Sequence, residues 1–142
     1  MATLNVEILA PEAALWTGPA SALVARSSEG DFTVLAQHTS TVGDIVSTIV
    51  RVDTEEGPIA FAVHSGFFQV GPGLEPDTTL ATILASVAER TTDIDVARAQ
   101  AAKDIAQNAL SVAQKADDQD AASVLSAALG RAELRLRAAS TK

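Results

Sequence analysis

The stretch "TLATILASVAERTTDIDVARAQAA", Thr79 to Ala102, changes its grammar halfway along. Its first part, "TLATILA", reads as a short strand. The second part opens with threonines and aspartates and becomes rich in alanine, the best helix former. Working outward, all five prolines (Pro11, Pro19, Pro58, Pro72 and Pro76) and every glycine except Gly130 precede residue 78. Proline and glycine punctuate short strands and turns. The change near Val87 therefore divides the chain of 142 residues into a strand-forming part, 1–87, and a helix-forming part, 88–142.

In the first part, "LNVEIL" alternates Leu4, Val6 and Ile8 with Asn5 and Glu7, the period-two pattern of a strand with one buried face. "VRVDTEEGPIAFAVHS" supplies Val50 and Val52, a polar turn at Gly57-Pro58, and then Ile59, Phe61 and Val63. That pattern predicts a hairpin with a longer loop. "FFQVG" adds another strand. Many short strands with frequent turn signals indicate an antiparallel β-sandwich, or flattened barrel, and not a parallel sheet with crossover helices.

The second part predicts an antiparallel two-helix hairpin. Thr92 or Asp93 can cap the first helix, with Asp95 favourable in its first turn, and Asp120 can cap the second. On the second helix Ala121, Leu125, Ala128, Leu129, Ala132, Leu136 and Ala139 form one apolar stripe. Ile94, Ala101, Ile105, Ala109 and Val112 offer a similar register on the first. Few of these side chains are large. A buried leucine stabilises by roughly 1.5–3 kcal/mol and an alanine methyl by far less, so such a hairpin either stays docked or detaches and re-docks, and periodicity does not choose between the two.

Composition excludes several chemistries. With no cysteine there is no disulfide or thiolate metal site, and two histidines without HExxH-type spacing give no zinc centre. Residues 1–87 carry two basic side chains against ten acidic ones, whereas residues 88–142 are balanced at eight of each. An acidic first part repels phosphate backbones, which argues against nucleic acid and suits a basic protein partner. No signal peptide and no apolar run of bilayer-spanning length is present, so direct bilayer insertion is not expected.

"SSEGDFTVLAQHTS", Ser27 to Ser40, gathers Glu29, Asp31 and His38 with several hydroxyls. A small β-sandwich hydrolase would need a nucleophile beside a base, and a third group to orient that base. Nothing in the stretch orients the imidazole, so an enzyme is the weaker reading. A free-standing helical-hairpin adaptor is the other alternative.

Three motifs taken together resemble the epsilon subunit of bacterial F-type ATP synthases, over nearly the whole chain. They are "SEGDFTVLAQHTS", "VHSGFFQV" and "AERTTDIDVARAQAA", in order and at matching spacing. Two positions depart from the family pattern: Ser40 stands for its usual proline, and Ser65 for the first glycine of a pair. Either replacement is expected to loosen a turn.

The resemblance implies a β-sandwich followed by a helical hairpin, in a non-catalytic subunit of the rotating central stalk. Its implied partners are the gamma subunit, the ring of c subunits and, through the hairpin, the catalytic alpha and beta subunits. The implied location is the cytoplasmic face of the bacterial membrane, where the subunit is peripheral and couples proton flow to ATP synthesis. Glu29, Asp31 and His38 are implied to face the ring. No cofactor is implied, but "IDVARA", Ile94 to Ala99, resembles a pattern with which some members hold ATP as a regulatory ligand. In that reading Asp95 accepts a hydrogen bond and Arg98 pairs with the anion. Ile94 and Ala99 complete the motif, Glu89 precedes it, and Arg131 and Arg135 face the same region from the second helix. Ile105 occupies a position where the pattern expects a basic residue. No glycine-rich phosphate loop is present, so hydrolysis by this chain alone is not expected.

Overall fold

The computed structural model describes residues 2–140 and divides the chain into two compact units, one ending at Arg90 and the other starting at Thr91. Among the described residues the first unit holds ten strands in two five-stranded sheets. One sheet runs in the order β2 (Ala13–Ala20), β1 (Thr3–Ala10), β9 (Thr78–Ala85), β8 (Gly66–Pro72) and β5 (Thr41–Ile45). The other runs β10 (Ala88–Arg90), β7 (Gly57–Val63), β6 (Thr48–Thr54), β3 (Ala22–Ser27) and β4 (Gly30–Val34). Every ladder is antiparallel except β1–β9, where Thr3 to Leu9 run parallel to Thr78 to Leu84.

The alternation of β1 decides which face is buried. Leu4, Val6 and Ile8 are fully enclosed and join Ile83 and Ala81 of β9 in one core with Leu23, Val50, Val52 and Phe61 from the second sheet. Asn5 and Glu7 fall on the outer face because successive side chains alternate across a strand. The β6–β7 hairpin is tighter than its sequence suggests. Thr54 pairs with Gly57, so only Glu55 and Glu56 form the loop. Gly57 makes that possible by taking φ 116°, a conformation open to glycine at little cost.

Residues 88–90 belong to the sandwich, three residues past the boundary placed at Val87. Ala88, Glu89 and Arg90 pair with Val63, Ala62 and Phe61 of β7 and cover that edge.

The second unit begins with a 3₁₀ turn, Thr91–Asp93, followed by α1 (Val96–Lys115) and α2 (Gln119–Ala139), which pack against each other. A three-residue connection between packed helices makes them antiparallel. Both helix starts differ from the sequence expectation. Asp95, not Thr92 or Asp93, caps α1, its Oδ1 accepting from the Arg98 N–H at 3.0 Å. Asp118, not Asp120, caps α2 by accepting from the Ala121 N–H at 3.1 Å. In clusters of aspartates the cap is the one whose backbone is still extended, as Asp95 and Asp118 are.

The packing register of α1 differs too. Ile105 and Val112 lie 70% and 68% exposed, while Ala99, Ala106 and Ala113 are buried. These alanines recur every seven residues, and their small side chains let a second helix backbone approach closely. On α2, Ala132, Leu134, Ala138 and Ala139 are buried, and Leu134 lies off the stripe read from the sequence.

Candidate functional site

The acidic stretch folds as a two-residue turn between β3 and β4. Ser27 pairs with Gly30, which takes φ 126°, leaving Ser28 and Glu29 at the tip. The Ser27 hydroxyl braces the turn from within: it donates to the Gly30 carbonyl oxygen at 3.3 Å and accepts from the Glu29 N–H at 3.1 Å. A second brace comes from the other sheet. Asp44 of β5 accepts from the Ser28 N–H at 3.1 Å and from its hydroxyl at 2.9 Å. Two residues further on, the Val46 N–H donates to the Arg26 carbonyl oxygen at 3.1 Å.

Asp31 differs electrostatically from Glu29. Arg26 grips it with Nε at 2.6 Å and Nη2 at 3.3 Å from the two carboxylate oxygens. Those hydrogen bonds, and then the guanidinium charge, hold the Asp31 carboxyl below its ordinary value of 3.8. Both side chains are solvent-exposed, so the pair steadies the strand ends without adding much stability. Its charge is already balanced, which leaves Glu29 as the uncompensated carboxylate at the tip.

His38 lies elsewhere. The turn bearing Glu29 sits at one end of β4 and the loop bearing His38 at the other, with five strand residues between them. At about 3.3 Å per residue that separation exceeds about 15 Å. The structure therefore sets Glu29 and His38 beyond opposite ends of β4, whereas the resemblance implied that both face the ring. The His38 ring is exposed, and its Nδ1 lies 2.8 Å from the Thr39 carbonyl oxygen, making Nδ1 the donor. No carboxylate hydrogen-bonds to it among the described residues. Nor does any group of three His, Asp or Glu side chains that could hold a metal occur there.

Beside the turn lies a surface that the sequence reading passed over. Asp44 stands opposite Phe67 of β8, Phe67 opposite Leu84 of β9, and Leu84 opposite Leu9 of β1. Phe67 is 65% exposed and Leu84 nearly half exposed, on the outer face of the first sheet. With Pro11 and Ala85 these residues line a shallow depression of about 290 Å³. An apolar row that ends at an acidic turn has the composition of an interaction surface. The signal was present in "SGFFQV": two adjacent phenylalanines on a strand point to opposite faces, so one of them must face outward.

The residues expected to hold a nucleotide fall into distinct environments. Ile94 and Ala99 are buried, and the Asp95 carboxylate is occupied as the α1 cap. Arg98 and Arg131 are exposed, and Arg135 is half-buried. Antiparallel helices place Arg98, near the start of α1, and Arg135, near the end of α2, at the same open end of the hairpin. Glu89 lies in the first unit, on β10. No helix among the described residues is long and apolar enough to cross a membrane.

Residues 3–91 match the family described as ATP synthase, Delta/Epsilon chain, beta-sandwich domain, and residues 92–140 match its long alpha-helix domain. The ATP synthase epsilon chain of Streptomyces griseus is 35% identical over 142 residues, covering 99% of this chain and 98% of that one. That of Bordetella parapertussis is 37% identical over 119 residues, covering 82% and 81%. In fold, the chain is similar to one in the mitochondrial ATP synthase of Euglena gracilis, with a TM-score of 0.78 at 24% identity, covering 98% of this chain and 82% of that one.

Proposed function

The chain belongs to the delta/epsilon family of ATP synthase subunits as an epsilon-type, non-catalytic member, and from that premise we propose that it is a rotor component of the central stalk, coupling proton flow to ATP synthesis. One observation carries the reading. The apolar row Leu9–Leu84–Phe67 and the braced turn at Glu29 adjoin at the same end of one sandwich. A component that links two different partners needs two adjacent surfaces of different chemistry. The apolar row suits a lasting contact with the gamma subunit. The Glu29 tip suits basic loops on the ring of c subunits, which it would meet without entering the bilayer. His38, at the far end, is no part of that contact.

The second unit regulates. Its two helices meet through small alanines, and Arg98, Arg131 and Arg135 give it positive side chains to set against acidic surfaces of the catalytic alpha and beta subunits. In that position it opposes ATP hydrolysis. ATP itself is a regulatory ligand, its phosphates paired by Arg98 and Arg135 at the open end of the hairpin, while Asp95 fixes the start of α1. The subunit acts at the cytoplasmic face of the membrane, held there by its partners.

The test is Phe67→Glu combined with Leu84→Glu. Both side chains are exposed but stand opposite each other, so the two new carboxylates repel and the isolated variant should lose about 1 kcal/mol while staying folded. Its affinity for purified gamma subunit should fall at least about a hundredfold, because two carboxylates would be buried without partners. Unchanged binding to gamma would remove the apolar row from the interface and the reading with it.

A further inference from the structure

The sandwich contains the same turn twice. Ser27-Ser28-Glu29-Gly30 joins β3 to β4, and Thr54-Glu55-Glu56-Gly57 joins β6 to β7. In each, the first residue pairs with a glycine at positive φ. In each, a hydroxyl donates to the glycine carbonyl and accepts from the N–H of a glutamate. For Thr54 these distances are 2.6 and 3.2 Å; for Ser27 they are 3.3 and 3.1 Å. Local chemistry alone therefore closes both turns.

One feature of the contacts separates them. The Ser28 N–H and hydroxyl both reach Asp44, sixteen residues away on the edge of the opposite sheet. No side chain makes the corresponding bond to Glu55 among the described residues. β5 is shaped for this reach. Gly43 carries no side chain because a Cβ there would lie 2.5 Å from Cε1 of Phe68, whose ring stacks on Phe32 of β4 at 4.4 Å. That stack joins β4 to Phe68 of β8, the strand beside β5, and Asp44, the residue after Gly43, meets the turn.

We infer that Asp44 is a positioning residue: it anchors the Ser28–Glu29 turn across the two sheets, so that Glu29 is presented to a basic partner in a single preformed geometry. The inference rests on the assignment of that turn to the ring contact. The anchor acts through hydrogen bonds to Ser28, and its own charge has no direct part in docking. Pre-organisation of this kind lowers the ordering cost of association. The Thr54–Gly57 turn, built alike but unanchored, is the internal control.

Three variants of the full chain test it: Asp44→Ala, Asp44→Asn and Glu29→Lys. Asparagine keeps an acceptor for the Ser28 N–H and can donate to its hydroxyl, so it preserves the anchor while removing the charge. Amide exchange of Ser28 in the free subunit should quicken about tenfold in Asp44→Ala and stay near parent in Asp44→Asn, with Glu56 unchanged in both. In the assembled complex, ATP-driven proton pumping should fall with Asp44→Ala and Glu29→Lys and be retained with Asp44→Asn. Unchanged exchange at Ser28 in Asp44→Ala, or an Asp44→Asn complex that pumps as poorly as Asp44→Ala, overturns the inference. If Glu29→Lys impairs pumping and Asp44→Ala does not, docking stands and the positioning role is rejected. If Glu29→Lys also pumps normally, the docking assignment fails and the inference falls with it.

Discussion

Ser65 and Gly66 occupy the connection between β7 and β8, and the two residues answer to different constraints. Ser65 takes φ 74°, a left-handed conformation that costs a non-glycine residue roughly 1–2 kcal/mol. Its hydroxyl recovers part of that through Ser86, 3.1 Å away. Ser65→Gly should therefore stabilise the sandwich by about 0.5–1 kcal/mol, read as a melting temperature higher by about 4 °C. Gly66 is fixed by space as well as by angle. A Cβ there would press into the Leu84 carbonyl and lie 2.9 Å from the Ala85 Cα. Gly66→Ala should cost roughly 3 kcal/mol in the same melt. Equal melting of both variants would contradict this division. At this scale the sequence was legible in part where one residue decides its own backbone: Gly57 marked the turn, but the loop was read as too long. It was illegible where the partner lies far along the chain, as Asp44 does from Ser28.

Elements were read well when their pattern was unambiguous. The alternation of Leu4, Val6 and Ile8 specified the buried face of β1, since a one-residue slip would expose all three. The helices gave no such signal. α1 is so rich in alanine that several faces look alike, and choosing the face with the largest residues selected Ile105 and Val112, which are exposed. The buried face is the one that permits close approach, through Ala99, Ala106 and Ala113. Runs of aspartate likewise hid the caps, because Asp117, Asp118 and Asp120 all have the right side chain and only the backbone selects among them. The prediction is specific. Asp118→Ala should destabilise the helical hairpin by about 1 kcal/mol, followed by thermal loss of the helical circular-dichroism signal in the full chain. Asp120→Ala should cost only about 0.3 kcal/mol, as a first-turn charge acting on the helix dipole. Equal losses would put the cap at the wrong residue.

For the whole molecule, the boundary at Arg90 separates two kinds of stability. The sandwich carries the large buried side chains, including Leu4, Ile8, Leu23, Phe61 and Ile83, whereas the helical unit relies chiefly on alanines and Leu134. Division of the chain was legible from proline, glycine and alanine usage. The placement of Glu29 and His38 at opposite ends was overlooked, although the length of the intervening strand implies it. We propose that the sandwich transmits rotation and the hairpin restrains hydrolysis. The most direct measurement is the number of protons pumped per ATP hydrolysed, in membranes whose subunit is stopped after Arg90, so that β10 is kept and the helices removed. The ratio should be unchanged and hydrolysis faster. A ratio that collapses while the shortened subunit remains fully bound would contradict that proposal.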